Sequence, residues 1–139
     1  MLPQLFFKGF LFKFNLINGI INLPIISENF KKHTLRGFHY QIPPHSQAKL
    51  VRVTKGRVLD VVVDIRKGSP TFGSHVAVEL SDDNHSQLFI PRGFAHGYVV
   101  LCETAEFFYK CDNFFNKGSE GGILYTDPQL DIDWKIDLN

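Results

Sequence analysis

From residue 49 onward the sequence is cut by turn-forming residues at intervals of roughly 8–12 positions, the spacing of an all-β sandwich or barrel. The pieces between the cuts are short and rich in Val, and none keeps a helical period over three turns. Strands are expected at Lys49–Val53, Arg57–Ile65, His75–Leu80, Gln87–Ile90, Gly97–Leu101, Thr104–Lys110 and Gly121–Tyr125. Turns fall at Thr54-Lys55-Gly56, Lys67–Pro70, Ser81–His85 and Pro91-Arg92-Gly93. The Lys-Gly step between two Val-rich runs reads as a hairpin. The tail from Thr126 reads as loop or a turn of helix. Together these features predict an all-β jelly-roll barrel, a shape whose interior can hold a small ligand.

With 139 residues and no linker or repeat, the expectation is one domain over residues 1–139. A formal charge of +1 and scattered Lys and Arg leave no basic stripe, which argues against nucleic acid as a partner. Fourteen Phe, four Tyr and one Trp exclude a disordered chain. Five of those Phe crowd residues 6–14, and residues 1–26 contain no acid. Lys8, Lys13, Asn15, Asn18 and Asn22 interrupt every apolar run there, so the start reads as a buried strand or a poorly fitting terminus, not a membrane span. Two cysteines, Cys102 and Cys111, without a CxxC spacing fit a reducing cytoplasm, with a disulfide between them the lesser reading.

Chemistry-bearing residues gather in three places. In Arg36–Gln41, strand alternation sends Phe38 and Tyr40 one way and His39 and Gln41 the other. Residue type alone favours His39 as a core-edge histidine satisfied by a backbone carbonyl. The sharper reading is a pocket imidazole suited to proton transfer. In Thr104–Lys110 the faces alternate so that Phe107, Tyr109 and Cys111 share a side, and Tyr109 is either structural or a proton donor. Pro91–His96 matches the second half of a metal-binding jelly-roll motif. The first half fails, because Gln41 stands where a second imidazole is needed and amides are poor ligands for such metals. No metal is expected. Dinucleotide, Walker and nucleophile-elbow motifs are absent.

Eight strings in order carry a resemblance. They are Leu35–Gln41 (LRGFHYQ), Lys49–Arg52 (KLVR), Gly56–Arg66 (GRVLDVVVDIR), Gly68–Gly73 (GSPTFG), Gln87–Gly97 (QLFIPRGFAHG), Thr104–Lys110 (TAEFFYK), Glu120–Leu124 and Asp127–Trp134 (DPQLDIDW). Over about residues 27–134 the chain resembles the dTDP-4-dehydrorhamnose 3,5-epimerase family of cupin-like jelly rolls. The resemblance implies a cofactor-free and metal-free isomerase acting on a dTDP-4-keto-6-deoxyhexose, in dTDP-L-rhamnose or related surface-sugar (lipopolysaccharide) synthesis. It implies His39 as base, Tyr109 as acid and Lys49 beside the C4 oxygen. It places Arg36, Gln47, Asp60, His96, Glu120, Asn29 and Phe115 around the substrate, Arg36 on diphosphate or sugar and Phe115 against the thymine. Asp60 and His96 read equally as residues that orient His39 and Lys49. A cytoplasmic homodimer, with no membrane partner, is implied as well.

The sequence departs from the family pattern in two segments. Residues 1–26 are divergent: Gly9, Phe10, Phe12 and Phe14 remain, while Lys8 replaces an Arg and Lys13 stands near an expected acid. This reads as an altered edge strand. The family continues past an Asp-Trp-Pro element into a segment whose Asp orients the base and whose Lys contacts ligand, whereas here Lys135 follows Trp134. Asp60 is then expected to substitute in part for that Asp. The alternative reading is a shortened homologue, weak or inactive in catalysis, that only binds nucleotide sugar; a metal-dependent cupin is the third.

Overall fold

Ten strands form in the computed structural model, which describes residues 6–7 and 25–138. They are β1 (Phe6–Phe7), β2 (Ile25–Lys31), β3 (Leu35–Gln41), β4 (Lys49–Lys55), β5 (Arg57–Asp64), β6 (His75–Ser81), β7 (Gln87–Ile90), β8 (Phe94–Val100), β9 (Thr104–Cys111) and β10 (Glu120–Gly122). Two five-stranded antiparallel sheets result, ordered β1-β7-β4-β9-β2 and β10-β3-β8-β5-β6. This is the jelly roll expected from the strand spacing. Apart from the pairing of Phe6–Phe7 with Leu88 and Gln87, the edge-strand reading of the start, Lys8 and Lys13 included, lies outside the described residues.

The core occupies two levels. Between the sheets lie Val51, Val53, Val58, Val62, Leu80, Leu88, Ile90, Phe94, Tyr98, Val100 and Phe107. On the far side of the second sheet, Phe38, Leu59, Val61, Val63, Ala95 and Val99 are covered by the C-terminal tail through Trp134. This explains why β5 and β8 read as nearly continuous apolar runs: they are buried on both faces. The polar exceptions on β5, Asp60 and Asp64, are both fully buried.

The expected hairpin turns out to be a corner. β4 and β5 lie in different sheets, so Thr54-Lys55-Gly56 is a crossing between layers; β8 and β9 likewise lie in different sheets. A turn signal fixes a reversal of direction; which neighbour a strand then pairs with depends on packing that local sequence does not carry. Gly56 sits at φ 81°, and a Cβ there would lie 2.4 Å from the Thr104 carbonyl oxygen. Cys102 fills this corner, with its Sγ 3.1 Å from the Arg57 amide. Cys111 ends the same strand that begins two residues after Cys102, and both thiols are free. β8 starts at Phe94, three residues earlier than expected, and β10 ends at Gly122, three residues earlier. β2 was not evident from its polar Ser27-Glu28-Asn29 centre, yet it pairs with β9 along all seven residues.

β3 contains the irregularity that matters for function. Its register against β8 shifts between Arg36 and His39, a bulge at Gly37 and Phe38. Gly37 adopts φ 120°, and a Cβ on it would lie 2.5 Å from the Gly97 Cα. No other residue fits there. The bulge turns Phe38 outward onto Trp134, ring centroids 5.4 Å apart.

Trp134 donates its indole N–H to the Tyr125 carbonyl at 2.9 Å and is 2% exposed. Trp134→Ala is expected to lower stability by about 3–5 kcal/mol, read as a fall in Tm by circular dichroism. The loop after β5 is organised by Asp64, which accepts hydrogen bonds from Arg66 Nε (2.9 Å), Ser69 Oγ (2.7 Å) and Thr71 Oγ1 (2.6 Å). The Arg66 guanidinium, helped by both hydroxyls, holds the Asp64 carboxyl well below the usual carboxylate range. A depressed folded-state value contributes stability at neutral pH that disappears as pH falls below about 4. Asp64→Asn should therefore be less stable at pH 7 and show a flatter decline in Tm as the pH is lowered from about 4.

Candidate active site

Toward the side where β9 and β2 of one sheet face β3 and β10 of the other, the apolar filling gives way to a polar cleft. Its inner lobe, a cavity of about 260 Å³, is lined by Glu28, Arg36, His39, Lys49, His96, Tyr98, Phe107 and Tyr109. A second lobe of about 560 Å³ shares His39, Lys49 and Tyr109 and adds Tyr40, Gln41, Gln47, Cys111, Phe114, Phe115 and Glu120.

Each lining residue follows from strand alternation. On β9, Phe107, Tyr109 and Cys111 face inward, opposite Val53, Val51 and Lys49 of β4. On β8, His96 and Tyr98 face inward with Val62 and Asp60 of β5 as register partners. On β3 the bulge lets Arg36 and His39, three residues apart, reach the same cleft. One wall is a stack of rings: Tyr98 and Phe107 have centroids 4.3 Å apart at 15°, and Phe107 stands 6.2 Å from the His96 ring.

The electrostatics are those of charged groups in a poorly hydrated place. Lys49 has its pKa lowered by burial, while Cys111, Asp60 and Glu120 pull it back up. Asp60 is pushed above its usual range by burial, opposed by His96 and Lys49. The Asp60 carboxylate Oδ2 lies 2.9 Å from His96 Nε2, and its Oδ1 is buried without a hydrogen-bond partner. Burial raises the Tyr109 hydroxyl to about 12, with Glu28 contributing, and raises Tyr98 as well. Both phenols hold their protons at neutral pH. His39 Nδ1 is 3.5 Å from Glu120 Oε1, in side chains 56% and 37% exposed.

His39, Lys49, Tyr109, Arg36, His96, Gln47, Glu120 and Phe115 are thus brought to one cleft. Asp60 sits behind His96 and not at the cleft surface. Asn29 is exposed, opposite Glu106 in register, and does not line either lobe. Its neighbour Glu28 does. The resemblance reached Glu28 only beside Asn29, as a loose match to an element that contacts nucleotide or sugar, and recognition of β2 would have supplied the missing alternation. Tyr98, Cys111 and Phe114 were also left without a site role.

Gln41 is engaged by the protein itself. Its amide nitrogen donates to the carbonyls of His45 and Phe114, and its oxygen accepts from the Asn116 N–H at 2.8 Å. Gln47 donates to the Asn113 carbonyl at 2.8 Å. Among the described residues no three His, Cys, Asp or Glu side chains gather as a metal-binding set.

The family profile described as dTDP-4-dehydrorhamnose 3,5-epimerase matches residues 17–139. The dTDP-4-dehydrorhamnose 3,5-epimerase of Shigella flexneri is 53% identical over 114 residues, 80% of this chain and 63% of its own length. That of Salmonella typhimurium is 55% identical over 104 residues, 75% of this chain and 57% of its own. The crystal structure of the Elizabethkingia anophelis enzyme superposes with a TM-score of 0.81 at 52% identity, covering 83% of this chain and 63% of that one. A Legionella pneumophila dTDP-6-deoxy-D-glucose-3,5-epimerase, in complex with dTDP-4-keto-L-rhamnose, gives 0.79 at 50% identity, covering 83% and 61%. The chain therefore spans about three-fifths of the length of these relatives. On fold, profile and relatives together, the chain belongs to the dTDP-4-dehydrorhamnose 3,5-epimerase family of cupin-like proteins.

Proposed function

We propose that the cleft epimerises a dTDP-4-keto-6-deoxyhexose at C3, C5 or both, by proton removal and return through an enolate. The observation that supports this most is the opposition of His39 on one sheet to Tyr109 on the other, across a cavity that Lys49 also enters. A proton on carbon next to a ketone is acidic only if the resulting negative charge is stabilised on the oxygen. The chemistry needs a base on one face, a cation or donor at the oxygen and an acid on the opposite face.

In this reading His39 takes the proton from C3 or C5, and the electron pair moves onto the C4 oxygen. The Lys49 ammonium meets that oxygen, and its charge counts for more in the cleft than in water. Tyr109, protonated at neutral pH, returns a proton to carbon from the other side, and the centre inverts. Arg36 suits a diphosphate, its planar fork matching phosphate oxygens. Phe114 and Phe115, both about two-thirds exposed at 63% and 64%, offer faces for a nucleobase at the mouth. The relative bound to dTDP-4-keto-L-rhamnose supports the same substrate class here. Free thiols at Cys102 and Cys111 support a cytoplasmic setting, and a homodimer is the assembly we infer from the resemblance.

Incubation with dTDP-4-keto-6-deoxyglucose in deuterated water should put deuterium at C3, C5 or both, read by NMR. His39→Ala should slow incorporation by at least about a hundredfold, and Tyr109→Phe should slow inversion more than exchange at the first proton removed. Calorimetric binding of the nucleotide sugar by the wild-type chain without any exchange would overturn the catalytic reading in favour of a binding module. Asp60→Asn removes a negative charge that keeps Lys49 protonated. The alkaline limb of the rate profile should then move to lower pH, because the ammonium is lost sooner as pH rises.

A further inference from the structure

Glu120 touches the base, and the reaction as written gives it no task. β10 runs antiparallel to β3 with Glu120 opposite Gln41 and Gly122 opposite His39. Residues diagonal across two strands share a face and come within reach of long side chains. Because the position directly opposite His39 is a glycine, nothing stands between the imidazole and the diagonal carboxylate. Glu120 Oε1 lies 3.5 Å from His39 Nδ1. Among the described residues it is the one carboxylate within ion-pair distance of that ring. Asp60 is bonded to His96, and Glu28 reaches the cleft from the opposite sheet.

We propose that Glu120 is the positioning residue of His39. It accepts the Nδ1–H, so that the neutral ring keeps Nε2 unprotonated and turned to the cleft, and it stabilises the imidazolium formed when Nε2 takes the substrate proton. The hydrogen bond made by one ring nitrogen sets which tautomer the other presents. Contacts of this kind are commonly loose in the unliganded site and tighten with substrate. No bond is made or broken by Glu120. The proposal rests on His39 being the base of the proposed reaction, and it changes the role expected of Glu120 from substrate contact to positioning. The other titratable groups lining the cleft with His39 include Arg36 on its own strand, Glu28 on β2, His96 and Tyr98 on β8, Lys49 on β4, and Tyr109 and Cys111 on β9. All of these are left in place by a change at residue 120.

The test has one arm without substrate and one with it. Imidazole ¹⁵N–¹H correlation spectra at a pH where the ring is neutral, with His39 assigned by its loss in His39→Gln, should show the Nδ1–H tautomer in the wild-type protein. Glu120→Ala should shift that ring toward the Nε2–H form, and Glu120→Gln, which keeps an acceptor without charge, should retain the wild-type tautomer. In the exchange assay Glu120→Ala should lower kcat by about ten- to a hundredfold with KM nearly unchanged, and Glu120→Gln should fall between. A wild-type tautomer in Glu120→Ala, or a raised KM at unchanged kcat, overturns the proposal and returns Glu120 to substrate binding. Should the wild-type chain show no exchange while the tautomer follows residue 120 as described, the epimerase reading fails and the positioning role stands. Glu120→Gln also covers the case in which the alanine variant does not fold.

Discussion

The site depends on two backbones touching. Gly37 and Gly97 meet so closely that a Cβ on the first would lie 2.5 Å from the second, and a Cβ on Gly97 would lie 3.0 Å from the Arg36 carbonyl oxygen. That contact holds the bulge in β3, and the bulge decides which side chains see the cleft. In an unbroken strand, residues 36 and 39 would face opposite sides. Here both reach the same cavity, while Phe38 between them is driven outward against Trp134. The cofacing of Arg36 and His39 and the anchoring of the C-terminal tail are two results of one steric event.

Around that frame the cleft is kept polar at a cost the fold carries elsewhere. An Asp and a Lys out of bulk water are unfavourable unless they serve each other. Asp60, His96 and Lys49 form such a set: a buried carboxylate bonded to an imidazole and electrostatically coupled to an ammonium. The continuous Val-rich packing of β5 on both faces surrounds Asp60 with apolar groups. This makes the cleft a place where charges act strongly on one another, as the proposed charge development on a substrate oxygen would require.

Much of this was legible in the residues. Alternation alone placed His39 with Gln41 and Tyr109 with Cys111, because a period of two survives any choice of strand partner. The sheet crossings at Gly56 and after Val100 were not legible, since a corner and a hairpin use the same turn chemistry. β2 was hidden because its centre is polar, and with it the inward face of Glu28. The bulge is announced only by a glycine, and many glycines announce nothing. The carboxylate beside His39 was sought in Asp60. It is found at the head of a three-residue strand, one residue before the strand expected at Gly121–Tyr125, and its place is set by pairing with β3.

Gln41 binds the 114–116 segment to the end of β3, and Gln47, two residues before β4, binds the same loop at Asn113. The exposed rings at the mouth therefore hang from the strand that carries His39 and Arg36. From Arg36 to Gln41 an extended strand covers roughly 15 Å. β3 works as a ruler: one end grips the rim, the middle holds the imidazole, and the other end presents a guanidinium. A long ligand laid along it would meet fixed marks, and in the proposed reaction grip at one end would set the position of the carbon that faces His39.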